Sequence, residues 1–315
     1  MSRAAVIEPV LLVHGGAGVR RQDIDAGSED EIRGALAQAL RQGHALLQAG
    51  HGALDAVTAA VVVLEDSPHF NAGRGAVFTH DGRNEMDAAV MDGATLRAGA
   101  VANLEHVRNP VLLARAVMEH SPHVMLAGAG AETFAREHGI ALADPDYFRT
   151  ELRWRQWQEA LRREASGSNE DTPGGDRFGT VGAVALDVHG HLAAATSTGG
   201  MTGKRWNRIG DSAVIGAGTY ADSHCAVSGT GWGEFYIRTA AAHAICMRVA
   251  HMRQSVHDAA ERVIRGEIPE LGGSGGAIAL AADGTFAMPF NTAGMFRGRM
   301  GADGVPHVAI WKDEP

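Results

Sequence analysis

The stretch 166–184, SGSNEDTPGGDRFGTVGAV, decides how this chain is to be read. Its first part, 166–178, is polar and glycine-rich and reads as a flexible linker. From Thr180 the character turns over: 180–187, TVGAVALD, is a β-type run that ends at the turn His189-Gly190-His191. A linker that enters a strand at Gly179-Thr180 has two readings. One is a loop followed by a strand opening on a β-branched residue, and Thr is common there. The other is a self-cleavage site that makes Thr180 a new N-terminus. In isolation these residues favour the first reading; the rest of the chain has to decide.

The second reading has definite chemical content. A threonine hydroxyl is a weak nucleophile until a base removes its proton. Cutting the Gly179–Thr180 bond would place a free α-amine beside that hydroxyl, with a reference pKa of about 7.7 that suits a general base. Gly179 fits as well, since without Cβ it can take a strained conformation that opens its carbonyl to attack. Downstream, Arg208 and Asp211 stand in a glycine-rich loop. One can hold a carboxylate and the other an ammonium, the two ends of an amino acid, although on spacing alone a surface salt bridge is the commoner arrangement. Thr230-Gly231-Trp232-Gly233 precedes a helix that starts near Glu234. Backbone N–H groups there, with the Thr hydroxyl, can stabilise an oxyanion, and an ordinary glycine-rich helix entry has the same spelling.

Length and composition bound the rest. The 315 residues allow one large α/β domain or two smaller ones. At 45% hydrophobic and 21% charged the chain is an ordinary globular sequence, with core enough to fold unaided. A formal net charge of −9 speaks against a nucleic-acid partner held by a basic footprint. The two cysteines, Cys225 and Cys246, make neither a disulfide framework nor a metal site and fit a reducing compartment. Glu8 and Pro9 interrupt the apolar residues 4–13, so no signal peptide is expected, and no apolar run approaches the ~18 residues that span a bilayer. The expectation is a cytoplasmic protein with no membrane partner.

Taken in order, the chain opens with a strand over 10–13 leading into His14-Gly15-Gly16-Ala17-Gly18. Helices are expected over 28–49, capped by Ser28, and over 53–64, followed by the loop Phe70-Asn71-Ala72-Gly73-Arg74-Gly75. Strands over 85–91 and 98–102, a helix over 110–119, a strand over 124–127 and helices over 131–137 and 147–164 complete the half before the linker. After it, 180–187 and 191–198 pair as a hairpin, and short strands follow at 213–217 and 226–228. Helices over 234–252 and 256–264, a hairpin of 277–281 with 285–289 and a last strand over 308–311 end the chain. This order suits stacked helix and sheet layers, an α+β arrangement.

Rival chemistries have weaker support. No phosphate-binding glycine motif and no zinc-spaced His or Cys cluster occurs. Gly272-Gly273-Ser274-Gly275-Gly276 satisfies the spelling of a serine nucleophile elbow, and Asp283 and His307 follow it in the expected order. Ser274, however, follows a helix and precedes a strand, the reverse of that context.

Read together, the motifs resemble the plant-type L-asparaginases, or isoaspartyl peptidases, of the N-terminal-nucleophile hydrolases. They are HGGAG at 14–18, FNAG at 70–73, MDA at 86–88, RNP at 108–110, GTVGAV at 179–184, TSTGGMT at 196–202, RIGDS at 208–212, LGGSGG at 271–276 and FNTAG at 290–294. The resemblance implies one domain over 1–315, a four-layer αββα sandwich made as an inactive precursor. It implies that Thr180 cuts its own N-side bond, giving chains 1–179 and 180–315 that stay together, and that two such pairs dimerise. Mature Thr180 would then attack the side-chain amide of asparagine or the isopeptide carbonyl of a β-aspartyl dipeptide. By position, Arg208 would bind the substrate α-carboxylate and Asp211 its α-amine. Thr230 and Gly231 would form the oxyanion hole, Gly233 would line the pocket, Thr198 would support the nucleophile and Asn71 would sit near the cleavage site. No cofactor is implied for the chemistry. A structural Na⁺ is implied on backbone carbonyls of Leu64, Glu65, Ser67, Phe70, Ala72 and Arg74.

Two features depart from the family pattern: Trp232 replaces a smaller, often polar residue, and Lys204-Arg205-Trp206-Asn207 lacks a Pro-Gly-like turn before Arg208. Both bear on substrate preference. The reading is a self-processing isoaspartyl peptidase with asparaginase activity. Its alternatives are a glycosylasparaginase or threonine processing protease of the same superfamily, a serine hydrolase on Ser274, and a silent binding protein.

Overall fold

The computed structural model describes residues 7–167 and 179–314, so the expected linker over 166–178 lies outside the described residues from 168 onward. Eight strands form one sheet in the order β12-β11-β1-β5-β6-β2-β3-β4 and four form a second, β10-β9-β8-β7. In chain order these are β1 Val10–Ala17, β2 Met86–Asp92, β3 Ala98–Leu104, β4 Met125–Ala127, β5 Val181–Leu186 and β6 Leu192–Thr198. They continue with β7 Thr219–Ala221, β8 Cys225–Gly231, β9 Gly275–Ala281, β10 Phe286–Ala287, β11 Gly294–Met300 and β12 His307–Trp311. All pairings are antiparallel except that of β3 with β4.

The central strands are apolar on both faces, and their side chains alternate between two cores. Leu11, Val13, Ala183 and Ala185 belong to a cluster shared with α1 Ala26–Gln48, α2 Ala53–Glu65 and α3 Pro110–His120. The intervening Leu12, Val184 and Leu186 face a second cluster, which holds Ala226, Ile278 and Leu280 of the four-stranded sheet. The far side of that sheet carries a third cluster, built with Ile245, Val256, Val263 and Ile264. These last residues come from a helical run after β8. Between α3 and β5 lie α4 Gly128–Glu137, α5 Pro145–Phe148 and α6 Glu151–Ala165; after β8 come α7 Gly233–Thr239, α8 Ala241–Met252 and α9 Val256–Glu261.

Several boundaries differ from the sequence expectation for local reasons. Helix α1 starts at Ala26 because Asp25, not Ser28, is its cap: Asp25 Oδ1 accepts from Ser28 N at 2.8 Å. The helix expected over 147–164 is two, with Thr150 capping α6 by accepting from Arg153 N. The one expected over 234–252 breaks at Ala240, which is left-handed at φ 47°. There the first N–H groups of α8 find carbonyls outside the helix: Ala242 N donates to Ala217 O at 3.0 Å and His243 N to Gly216 O at 2.8 Å. After α9 the run expected to end at 264 continues as a π turn, Arg262–Glu267. Residues 213–217 form a turn rather than a strand, while β7 and β11 had not been anticipated.

Contact between the sheets is close enough to dictate small residues. A Cβ at Gly182 would lie 2.0 Å from Ser228 Oγ and 2.5 Å from His14 Nε2. Gly182→Ala therefore has to push the sheets apart and should lower stability by about 2 kcal/mol or more. Gly34→Ala, in α1 with nothing within 4 Å of its added methyl, should raise it by about 0.5 kcal/mol. Thermal unfolding of both variants checks this; equal melting temperatures would contradict the packing described.

Candidate active site

Strand register brings the site together. In the β5–β6 hairpin Val181 pairs with Ser197, so Thr180, one residue before β5, meets Thr198 at the end of β6. Thr180 is 4% exposed. Its Oγ1 lies 2.8 Å from the Gly179 carbonyl oxygen and 3.1 Å from Thr198 Oγ1, and its single proton can bond either. Thr198 Oγ1 donates to the same carbonyl at 2.9 Å and is itself held by Gly200 N at 3.0 Å.

Asn71 completes this arrangement from the loop after α2. Its Nδ2 donates to Gly179 O at 2.9 Å and to Gly200 O at 2.7 Å, while its Oδ1 accepts from Val77 N at 2.9 Å. The amide is thereby fixed at both ends. Three polar groups thus converge on one peptide oxygen, and donors aimed at a carbonyl oxygen stabilise the charge that grows there when its carbon is attacked.

The loop between β6 and β7 supplies the second half of the site. One pocket is lined by Gly179, Thr180, Thr198, Gly200, Arg208, Gly210, Asp211 and Gly231, so the nucleophile candidate and the Arg–Asp pair face the same space. Asp211 is 4% exposed, and burial pushes its carboxyl up to about 7, against the pull of the Arg208 guanidinium. Its Oδ2 is buried without a hydrogen bond.

Arg208 pairs with Glu234 rather than with Asp211. Its Nε and Nη2 donate to the two oxygens of Glu234, at 2.9 and 2.8 Å, in the first turn of α7. Burial opposes the charge of Arg208, yet this pair holds the guanidinium above its ordinary range. Glu234 escaped the sequence reading because an acid in a first helical turn looks like an ordinary dipole contact.

Thr230 and Gly231 end β8. Gly231 lines the pocket, and a Cβ there would lie 2.3 Å from Ser274 O. Thr230 is fully buried; its Oγ1 accepts from Ala17 N at 3.3 Å and keeps its own proton to donate. Gly233 does not line the pocket but stands behind it, where a Cβ would come 2.7 Å from Asp211 Oδ1. Beneath these groups a buried polar row joins the sheets: His14 Nε2 to Ser228 Oγ at 2.8 Å, Ser228 to Thr196 at 2.7 Å and Thr196 to Thr219 at 2.6 Å. Burial lowers His14 to about 3, so it serves as a neutral member of the row.

The loop 204–207 solves its turn without Pro-Gly: Trp206 and Asn207 both take left-handed backbone, at φ 56° and 54°. Lys204 is buried beneath it and donates to Glu85 O at 2.9 Å. Around residues 64–74, a Cβ at Gly73 would come 2.4 Å from Glu65 O and one at Gly75 2.1 Å from Phe70 O, so the backbone is tightly folded. Carbonyl oxygens are what a hard cation accepts, but two of the six expected ligands already serve backbone N–H groups: Leu64 O accepts from Ser67 N at 3.3 Å and Ala72 O from Gly75 N at 3.2 Å. Part of the loop is already served by a charged side chain, as Arg153 donates to Gly75 O at 2.8 Å and His69 O at 3.2 Å.

Among the described residues Ser274 is joined to neither Asp283 nor His307. Its carbonyl accepts from Trp232 N at 2.9 Å, Asp283 is bound within its own turn by Thr285, and His307 pairs with Asp303.

Comparison with known proteins places the chain in a family. The family model described as Asparaginase matches residues 7–310. The isoaspartyl peptidase of Escherichia coli K12 is 48% identical over 312 residues, covering 97% of both chains. The probable isoaspartyl peptidase/L-asparaginase 2 of Arabidopsis thaliana is 38% identical over 323 residues, covering 96% of this chain and 98% of its own. The isoaspartyl peptidase/L-asparaginase of Mus musculus is 42% identical over 297 residues, covering 93% of this chain and 88% of its own. The protein belongs to the asparaginase family that the matching model describes.

Proposed function

We propose that the protein is an amide hydrolase that cleaves β-aspartyl dipeptides and L-asparagine, after first cutting itself at Gly179–Thr180. The observation that carries this reading is the Thr180 hydroxyl 2.8 Å from a carbonyl oxygen that Asn71 and Thr198 also bond. In the first reaction Oγ1 attacks the Gly179 carbonyl carbon, the C–N bond to Thr180 breaks, and the nitrogen takes the hydroxyl proton. Water then cleaves the resulting ester, leaving the Gly179 carboxylate and a free Thr180 with both amine and hydroxyl. Asn71 Nδ2 and Thr198 Oγ1 hold the negative charge that develops on the Gly179 oxygen.

In turnover the freed amine accepts the Thr180 proton as Oγ1 attacks the substrate amide. Ammonia or an amino acid leaves, and water releases aspartate. Arg208 grips the substrate α-carboxylate and Asp211 its α-ammonium, which places the side-chain carbonyl at Thr180. Thr230 Oγ1 and the Gly231 N–H face the oxyanion.

The same reading takes the two sheets and their outer helices as one domain, a four-layer αββα sandwich of the N-terminal-nucleophile type, supported by the helix-facing and sheet-facing cores. It takes the active form as a dimer of cleaved pairs in the cytoplasm. Among the described residues no helix is long and apolar enough to cross a membrane. A structural Na⁺ would be held by the carbonyls of Leu64, Glu65, Ser67, Phe70, Ala72 and Arg74, stiffening the loop that presents Asn71.

Two outcomes test the chemistry. Thr180→Ala should remain whole and release no ammonia from asparagine, whereas Asn71→Ala should still cleave itself but about 100-fold more slowly. Ammonia release by the Thr180 variant would remove Thr180 from the mechanism. The second outcome concerns pH. Burial brings the Asp211 carboxyl up to about 7 and it binds an ammonium only when ionised, so KM for asparagine should rise as pH falls through that value. Steady-state kinetics on Asp211→Asn should show a high KM with that dependence gone; an unchanged profile would assign the titration elsewhere.

A further inference from the structure

Arg208 offers a guanidinium with one edge taken and one edge free. The side edge, Nε with Nη2, is held by both oxygens of Glu234. A bidentate pair of this kind fixes the plane of the guanidinium as well as its position. The end edge, Nη1 with Nη2, lies against two glycines: a Cβ at Gly210 would come 2.7 Å from Nη1 and one at Gly233 2.9 Å from Nη2. Glycine at both places leaves that edge clear. Against the opposing effect of burial, Arg208 holds the Glu234 carboxyl below its ordinary range, and the Trp232 side chain, two residues earlier in the chain, helps to do so. Trp232 is steadied in turn by an edge-to-face contact with Phe235 at 5.2 Å between ring centres.

We propose that Glu234 is the positioning residue of the substrate clamp: by holding the side edge of Arg208 it presents the end edge to the α-carboxylate of the substrate. This rests on the reading of Arg208 as the α-carboxylate site. Glu234 touches neither the substrate nor the reacting atoms in this scheme. A plain helix-terminal acid would behave differently, because it contributes to the stability of α7 and leaves substrate affinity alone.

Glu234→Gln separates the two roles, since it keeps the shape of the side chain and removes its charge. On the self-cleaved protein, KM for asparagine and for a β-aspartyl dipeptide should rise by the same factor, about tenfold, with kcat within about twofold. L-Aspartate, measured by calorimetry, should lose affinity by that factor. Glu234→Asp, which keeps the charge and shortens the reach to Arg208, should shift KM in the same direction by less, and serves if Glu234→Gln fails to fold. Unchanged KM and aspartate affinity in a less stable Glu234→Gln would overturn the proposal, as would a fall in kcat alone. Calorimetry needs no turnover. A wild type that binds aspartate but hydrolyses nothing would therefore sink the hydrolase reading alone, and one that binds no aspartate would sink both.

Discussion

The carbonyl oxygen of Gly179 is the point on which the structure turns. It is reached by Asn71 from the loop after α2 and by Thr198 from the end of β6, with Thr180 beside it. Each of these depends on a separate part of the fold. The β5–β6 register sets Thr180 against Thr198. The Val77 and Gly200 backbones lock the Asn71 amide. A peptide so held has its oxygen polarised before any reaction begins, which is what preorganised electrostatic catalysis requires.

Small residues make that geometry attainable. Gly182 lets His14 and Ser228 meet between the sheets, and Gly233 lets Arg208 and Asp211 lie side by side. The row His14–Ser228–Thr196–Thr219 continues to the Ser212 carbonyl, next to Asp211. The Gly179 carbonyl and the Arg208–Asp211 pair are therefore parts of one packed interior. Burial of this kind is also what raises the Asp211 carboxyl.

The hairpin that carries Thr180 was legible because β-branched and small apolar residues run into a His-Gly turn and out again, and its register follows from the turn. Arg208 and Asp211 were picked out from motifs in a fixed order, and the pocket brings both to Thr180, whereas Thr230 stands outside its lining. Other features had no local signal. Ala240 is an excellent helix residue, and only the carbonyls of Gly216 and Ala217 make the chain break there. Strand β11, GMFRGRM, looks like a loop, and its Arg297 is buried because backbone carbonyls of Met295, Trp311 and Glu314 accept from it. Glu234 could be understood only once its distance to Arg208 was known. In each case a long-range partner overrode what the neighbouring residues say.

Intact mass spectrometry of the purified wild-type protein, followed during incubation, tests the central claim most directly. The account predicts that the single 33.0 kDa species gives way to two, one ending at Gly179 and one beginning with Thr180. A folded protein that persists as that single species, with no Thr180 N-terminus, would contradict it.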